Sequence, residues 1–131
     1  MKRAGILHAE LAGHLAQLSH TDLFVVADSG FPVPPGVPAV DLRVLYGLPR
    51  LEPVLEAVLA EVVIESAAVA AEVDDANPEL AALFDSAAPG AARVPHDELK
   101  RLSAAARFVV RTGEATPYGN ILLTAGVAFA V

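Results

Sequence analysis

The sequence contains no cysteine, which rules out a disulfide framework, a zinc–thiolate site and a thiol nucleophile. That fits a reducing compartment. Basic residues are scarce as well: Lys and Arg number 9 against 16 Asp and Glu, for a formal net charge of −7. A field of that sign repels a phosphate backbone, and no Lys/Arg stripe reverses it locally, so nucleic acid is excluded as a partner. Long apolar runs are also missing. The longest uncharged stretch, Ala115 to Val131, is broken by Pro117, Gly119, Asn120 and Gly126, which excludes a membrane-spanning helix there. Met1-Lys2-Arg3 has the charge of a signal-peptide start, but His8 and Glu10 interrupt any apolar segment behind it. The expected location is therefore the cytoplasm. There is no Gly-rich phosphate loop, Walker pattern or nucleophile elbow.

What is present fits one domain over residues 1–131, long enough to bury about two-thirds of its unfolded surface. Hydrophobic residues make up 54% of the chain and the mean hydropathy is +0.49, high for a small monomer that must coat itself in polar groups. Alanine accounts for much of this. The remainder predicts that apolar surface is covered by further copies, giving a homo-oligomer.

Hydrophobic spacing sets the element order. Leu7, Leu11, Leu15 and Leu18 recur at helical spacing and predict a helix over residues 8–18. Leu23 to Ala27 is a short continuous apolar run, as in a strand buried on both faces, and it stops at Asp28-Ser29-Gly30. Four prolines and Gly36 between Phe31 and Pro38 impose a stiff loop. Val40, Leu42 and Val44 alternate as in a strand, and a helix marked by Leu51, Val54, Leu55, Val58 and Leu59 follows. Val62 to about Val69 predicts a third strand. Asn77-Pro78 predicts a capped helix start, and His96-Asp97-Glu98 another with its acids at the favourable end. Ala92 to Val94, Phe108 to Val110 and Ile121 to Leu123 complete the strands. Strands alternating with helices predict a three-layer α/β/α arrangement around a mostly parallel, mixed sheet. Ligands in such sheets collect beyond the carboxyl ends of the strands, here at Asp28 and the segment from Thr112 to Asn120.

Several polar residues sit at these joints. His20, in Ser19-His20-Thr21-Asp22, is suited to moving protons near neutral pH, and equally reads as a surface or capping histidine. Asp28 can accept hydroxyl donors or simply form a turn. His96 can be helix-start chemistry, and Pro117-Tyr118-Gly119-Asn120 a turn before the last strand. His8, His14 and His20 are spaced by six, which puts no two on one helical turn, so no metal site is expected. Glu61, Glu65 and Glu72 read as solvated or paired charges with no assigned role.

Order and spacing turn these separate signals into a pattern. Leu18-Ser19-His20-Thr21-Asp22, Val25-Val26-Ala27-Asp28-Ser29-Gly30-Phe31-Pro32-Val33-Pro34, Asn77-Pro78-Glu79-Leu80, Pro95-His96-Asp97-Glu98, Thr112-Gly113-Glu114 and Pro117-Tyr118-Gly119-Asn120-Ile121-Leu122-Leu123 follow one another along the chain, ending with Gly126-Val127. In this order the chain resembles the D-ribose pyranase (RbsD) and L-fucose mutarotase (FucU) family from end to end. The resemblance implies that His20 is a catalytic proton donor and that Asp28, His96, Tyr118 and Asn120 contact the sugar. It implies no cofactor and no metal, and a ring-shaped oligomer, commonly a decamer, with sites near subunit boundaries. Two positions depart from the pattern. Ser19 stands where the family usually has glycine, and Gly119 matches the fucose branch's Tyr-Gly-Asn. The segment Asp28 to Pro34 lacks the histidines of the fucose branch and favours D-ribose as the partner monosaccharide.

The implied chemistry is the interconversion of the pyranose and furanose forms of free D-ribose. The anomeric hydroxyl loses a proton as the ring oxygen gains one, and reclosure through another hydroxyl changes ring size. One positioned acid–base group supplies about 10²- to 10⁴-fold acceleration. Asp28, His96 or a water are all open as acceptors of the anomeric proton. Two alternatives are an L-fucose mutarotase acting on anomers and a sugar-binding protein without turnover.

Overall fold

In the computed structural model, which describes residues 1–130, the strands form a six-stranded sheet in the order β2-β5-β1-β6-β3-β4. The strands are β1 (Leu23–Ala27), β2 (Ala39–Asp41), β3 (Ile64–Ala70), β4 (Ala92–Val94), β5 (Val109–Arg111) and β6 (Ile121–Ala125). Parallel pairing joins β1 to β5, β2 to β5 and β3 to β4. Only β6 runs the other way, antiparallel to both β1 and β3. The carboxyl ends of the other strands therefore share one edge of the sheet with the start of β6. Val131, the last residue of the uncharged run, lies outside the described residues.

The helices are α1 (Ala9–Ala16), α2 (Leu51–Leu59), α3 (Val73–Ala76), α4 (Pro78–Ala87) and α5 (His96–Leu102), with a 3₁₀ turn at Ser103–Ala105. Each face of the sheet has its own core. On one face Phe24, Val26, Val110, Ile121 and Leu123 pack against Leu11 and Leu15 of α1, Leu51 and Leu55 of α2, and Phe84 of α4. On the other, Val25, Ala27, Val109 and Leu122 pack against Leu99 of α5, Ala106 and Phe31. Successive strand residues point to opposite faces, so the continuous apolar run of β1 feeds both cores. The layers are α/β/α, and no helix of the described residues is long and apolar enough to cross a membrane.

Some boundaries differ from the periodicity. The alternation Val40, Leu42, Val44 predicts a strand through residue 44, but β2 stops at Asp41. There Asp41 accepts a hydrogen bond from the Arg43 backbone N–H at 3.0 Å and pairs with the Arg43 guanidinium, which turns the chain away from the sheet. The strand predicted from Val62 begins at Ile64. The short helix α3 has acidic residues in its only turn and no apolar repeat to announce it.

Candidate functional site

The common edge of the sheet gathers four of the five sequence-predicted residues. Asp28 follows β1 directly, Asn120 precedes β6, and the two strands are neighbours. The Asp28 backbone N–H donates to Asn120 Oδ1 at 2.8 Å, and Asn120 Nδ2 donates to Asp28 Oδ2 at 3.1 Å. Asn120 is buried at 1% exposure, so its amide is fixed in orientation by this reciprocal pair. The other carboxylate oxygen of Asp28 accepts from the Gly30 N–H at 3.0 Å. Asp28 is half-buried, with its remaining lone pairs available to hydroxyl donors.

His96 opens α5 just beyond β4, on the same edge. Its ring stands edge-on to Tyr118 with centroids 5.1 Å apart and edge-on to Phe31 at 6.4 Å. Its backbone N–H donates to both carboxylate oxygens of Glu72 at 3.1 Å. Its Nδ1 is buried and has no hydrogen-bond partner among the described residues, the kind of unmet polar atom that a ligand hydroxyl satisfies. Tyr118 holds a positive φ of 57°, an uncommon conformation for a non-glycine residue. That backbone turn lets Tyr118 face His96 while Asn120 faces Asp28.

The segment carrying Tyr118 and Asn120 is clamped from three sides. Thr112 Oγ1 donates to the Ala27 carbonyl at 2.8 Å and accepts from the Glu114 N–H at 3.2 Å. Asn77 caps α4 and donates through Nδ2 to Thr116 Oγ1 and the Pro117 carbonyl, both at 2.9 Å. Glu114 is 2% exposed, accepts from the Leu51 N–H at 3.0 Å and from Thr116 Oγ1 at 2.8 Å, and faces Arg50 at 3.7 Å. Burial pushes the Glu114 carboxyl up, but these donors and the Arg50 charge outweigh it and leave its pKa below the ordinary value. The sequence singled out Thr112-Gly113-Glu114 without giving Glu114 a role. The carboxylate joins the start of α2 to the site segment from 63 positions away, a pairing that local pattern cannot disclose.

Close approach rather than turn geometry requires Gly113 and favours a small residue at Gly119. A Cβ at Gly113 would lie 2.5 Å from the Leu45 carbonyl oxygen and 2.6 Å from that of Leu48. At Gly119 it would lie 3.1 Å from both Glu114 Cγ and Leu80 Cδ1. A cleft of about 360 Å³ opens beside Asp28, between Ser29, Gly30, Tyr46 and the segment from Glu114 to Pro117.

His20 is elsewhere. It lies on the turn that enters β1, whereas Asp28 lies on the turn that leaves it. The five residues of β1, at about 3.3 Å each, set these turns on the order of 15 Å apart. The structure therefore brings together Asp28, His96, Tyr118 and Asn120, and leaves His20 at the opposite edge of the same sheet. There it is exposed, and its Nε2 lies 2.8 Å from Glu65 Oε2 of β3. The departure at Ser19 has a simple outcome. The positive φ of this turn falls on Thr21, at 71°, and Ser19 donates its N–H to Asp22 Oδ2 at 2.8 Å.

Known proteins share the sequence pattern and the fold. The chain matches the RbsD / FucU transport protein family over residues 1–128. A protein named D-ribose pyranase 1, from Rubrobacter xylanophilus, is 54% identical over 98% of this chain and 100% of its own length. The structure of Bacillus subtilis RbsD complexed with D-ribose is 41% identical, with a TM-score of 0.93, and covers 98% of this chain and 100% of that one. The fucose mutarotase of Streptococcus pneumoniae, solved with L-fucose, shares the fold at a TM-score of 0.83 but only 19% identity, over 98% of this chain and 100% of that one.

Proposed function

The chain belongs to the RbsD / FucU transport protein family, and from that premise we propose that it is an isomerase interconverting the pyranose and furanose forms of free D-ribose. The observation that carries this reading is the convergence of Asp28, His96, Tyr118 and Asn120 on one sheet edge, the Asp28 carboxylate bonded to the Asn120 amide and the His96 imidazole edge-on to the Tyr118 ring. Such a set can hold several hydroxyls of a small sugar without a charged phosphate partner. The relatives named D-ribose pyranase, at 54% and 52% identity, favour ribose over fucose.

In this reading Asp28 and Asn120 accept and donate to adjacent hydroxyls, and His96 Nδ1 and Tyr118 bind the opposite side of the ring. His20 delivers a proton to the ring oxygen as the bond from that oxygen to the anomeric carbon breaks. The anomeric hydroxyl gives up its proton to Asp28, His96 or water and becomes the carbonyl. Attack by a different hydroxyl then closes the new ring and returns both protons.

His20 cannot reach the Asp28 cluster of its own chain across β1, so the complete site takes His20 from one copy and the cluster from another. The exposed turn with Val44, Leu45, Tyr46 and Leu48, each at least 52% exposed, supports association of copies next to the Asp28 loop. A closed ring, a decamer as in the family pattern, satisfies that requirement for every copy, and the cytoplasm is its proposed location. Saturation-transfer NMR on equilibrated D-ribose tests the activity: catalytic amounts of protein should accelerate exchange between pyranose and furanose signals. Acceleration in L-fucose with none in D-ribose would refute the ribose assignment.

A further inference from the structure

The turn that carries His20 is held on every side by backbone. The Thr21 N–H donates to the Ala125 carbonyl at 2.9 Å, the Ala125 N–H donates to the Asp22 carbonyl at 2.9 Å, and the Asp22 N–H donates to the Ser19 carbonyl at 3.1 Å. Asp22 is fixed further by Arg107, whose Nε lies 3.2 Å from Oδ1. The main chain at His20 is thus determined, whereas its imidazole has one polar partner among the described residues, Glu65.

Glu65 reaches His20 because β3 is irregular at that residue. Ile64 pairs with Ala125 and Ser66 with Thr124, so two steps along β3 match one along β6 and Glu65 is the extra residue of a β-bulge. Bulges re-aim a side chain out of the regular alternation. Gly126 makes room for this one: a Cβ there would sit 3.0 Å from Val63 Cγ1 and 3.4 Å from Glu65 Cβ. The Gly126 N–H also donates to the Val63 carbonyl at 2.7 Å. A bulge, a glycine that admits it and a carboxylate placed on a histidine from 45 positions away form one arrangement.

We propose that Glu65 is a positioning residue for His20. It accepts the Nε2–H of the imidazole, fixes the neutral ring in that tautomer, and so makes Nδ1 the nitrogen that exchanges a proton with the sugar. A carboxylate only accepts hydrogen bonds, so the nitrogen facing it carries the proton and the other is left free. In the forward step the protonated ring releases its Nδ1 proton to the sugar ring oxygen as the bond to the anomeric carbon breaks. The hydroxyl that recloses the ring returns a proton to Nδ1, while Nε2–H stays on Glu65 throughout.

This inference rests on His20 being the acid–base residue, and the experiment separates the two ideas. His20→Ala, Glu65→Ala and Glu65→Gln are compared by saturation-transfer kinetics on D-ribose and by ¹⁵N–¹H correlation spectra of the histidine rings. His20→Ala should abolish exchange; a normal rate would refute the acid–base reading itself. Glu65→Ala should lower kcat about tenfold or more with KM within about twofold, because orientation acts on the proton-transfer step and not on sugar contacts. In alkaline buffer, where imidazole is neutral, the His20 ring signals should show the Nε2–H tautomer in the native protein and a mixture in Glu65→Ala. Glu65→Gln keeps an acceptor oxygen and should retain the tautomer and most of the lost kcat, which guards against a folding defect in the alanine variant. Inactive His20→Ala with native kcat in Glu65→Ala would overturn the positioning role, as would an Nδ1–H tautomer in the native protein.

Discussion

The two edges of the sheet differ in how much of a site each one builds. At the edge where β1 ends, Asn120 is 1% exposed and Glu114 2% exposed, and the side chains of Thr112, Glu114, Thr116 and Asn120 all have hydrogen-bond partners within the chain. At the edge where β1 begins, His20 and Glu65 have side chains 53% and 42% exposed. The first edge is preorganised in the isolated chain. The second presents an exposed imidazole held by one carboxylate. In water such an exposed pair contributes little to stability, about 0–1 kcal/mol, so its value lies in where it points the imidazole. Under the proposed function, binding and proton transfer are separated along one strand.

That contrast can be broken most sharply at His20. His20→Ala should lower exchange of D-ribose about 10²-fold or more while sugar affinity, measured by titration calorimetry, stays within a few-fold. Parallel loss of affinity and rate would erase the division between the edges. Asn120→Ala should do the reverse. It deletes a hydroxyl partner and strands the Asp28 N–H that now donates to it at 2.8 Å, a loss of about 1–3 kcal/mol. Affinity should therefore fall about ten- to hundredfold.

Glu114 tests the preorganised edge through stability. Its folded pKa is depressed, so its contribution is fully present above the unfolded value and is lost as pH falls through the folded one. Glu114→Gln should cost about 2 kcal/mol in urea unfolding at pH 7. The cost should shrink toward zero at the acid end, where native Glu114 is itself protonated. A cost independent of pH would show that the carboxylate charge is not what clamps the segment. The smallest effect is expected at Gly119. A methyl there meets Glu114 and Leu80 at 3.1 Å, which small shifts relieve, so Gly119→Ala should cost about 1 kcal/mol and leave D-ribose exchange within a few-fold. A switch of preference toward L-fucose on this one change would make residue 119 a specificity determinant.

Much of the preorganised edge was legible from local pattern. The apolar run of β1 ends at Asp28 as its composition predicts, and Asn77-Pro78 starts α4 with the cap its chemistry favours. The acidic pair after His96 likewise opens α5. What stayed hidden depends on distant partners. Glu65 and Glu72 read as paired or solvated charges, and their partners, His20 and His96, are 45 and 24 positions away. The bulge that aims Glu65 is a mismatch between two strands, so neither strand's sequence alone contains it. The opposition of His20 to Asp28 was implicit in the short strand between them, since a strand separates its ends by its own length. The family pattern joined these residues into one site, and the length of β1 between His20 and Asp28 is what supports the proposal that two copies supply it.

Mixing two inactive variants tests that requirement most directly. His20→Ala retains an intact Asp28–Asn120 edge, and Asn120→Ala retains an intact His20. At D-ribose concentrations well below saturation each alone should be nearly inactive, His20→Ala for want of the acid and Asn120→Ala for want of affinity. Unfolded together in equal amounts and refolded, they should form mixed oligomers in which about a quarter of the sites combine two native halves, with exchange of D-ribose restored to about that fraction of the native rate. If the mixture, shown by native mass spectrometry to contain both chains in each oligomer, remains as inactive as its components, the shared site is contradicted.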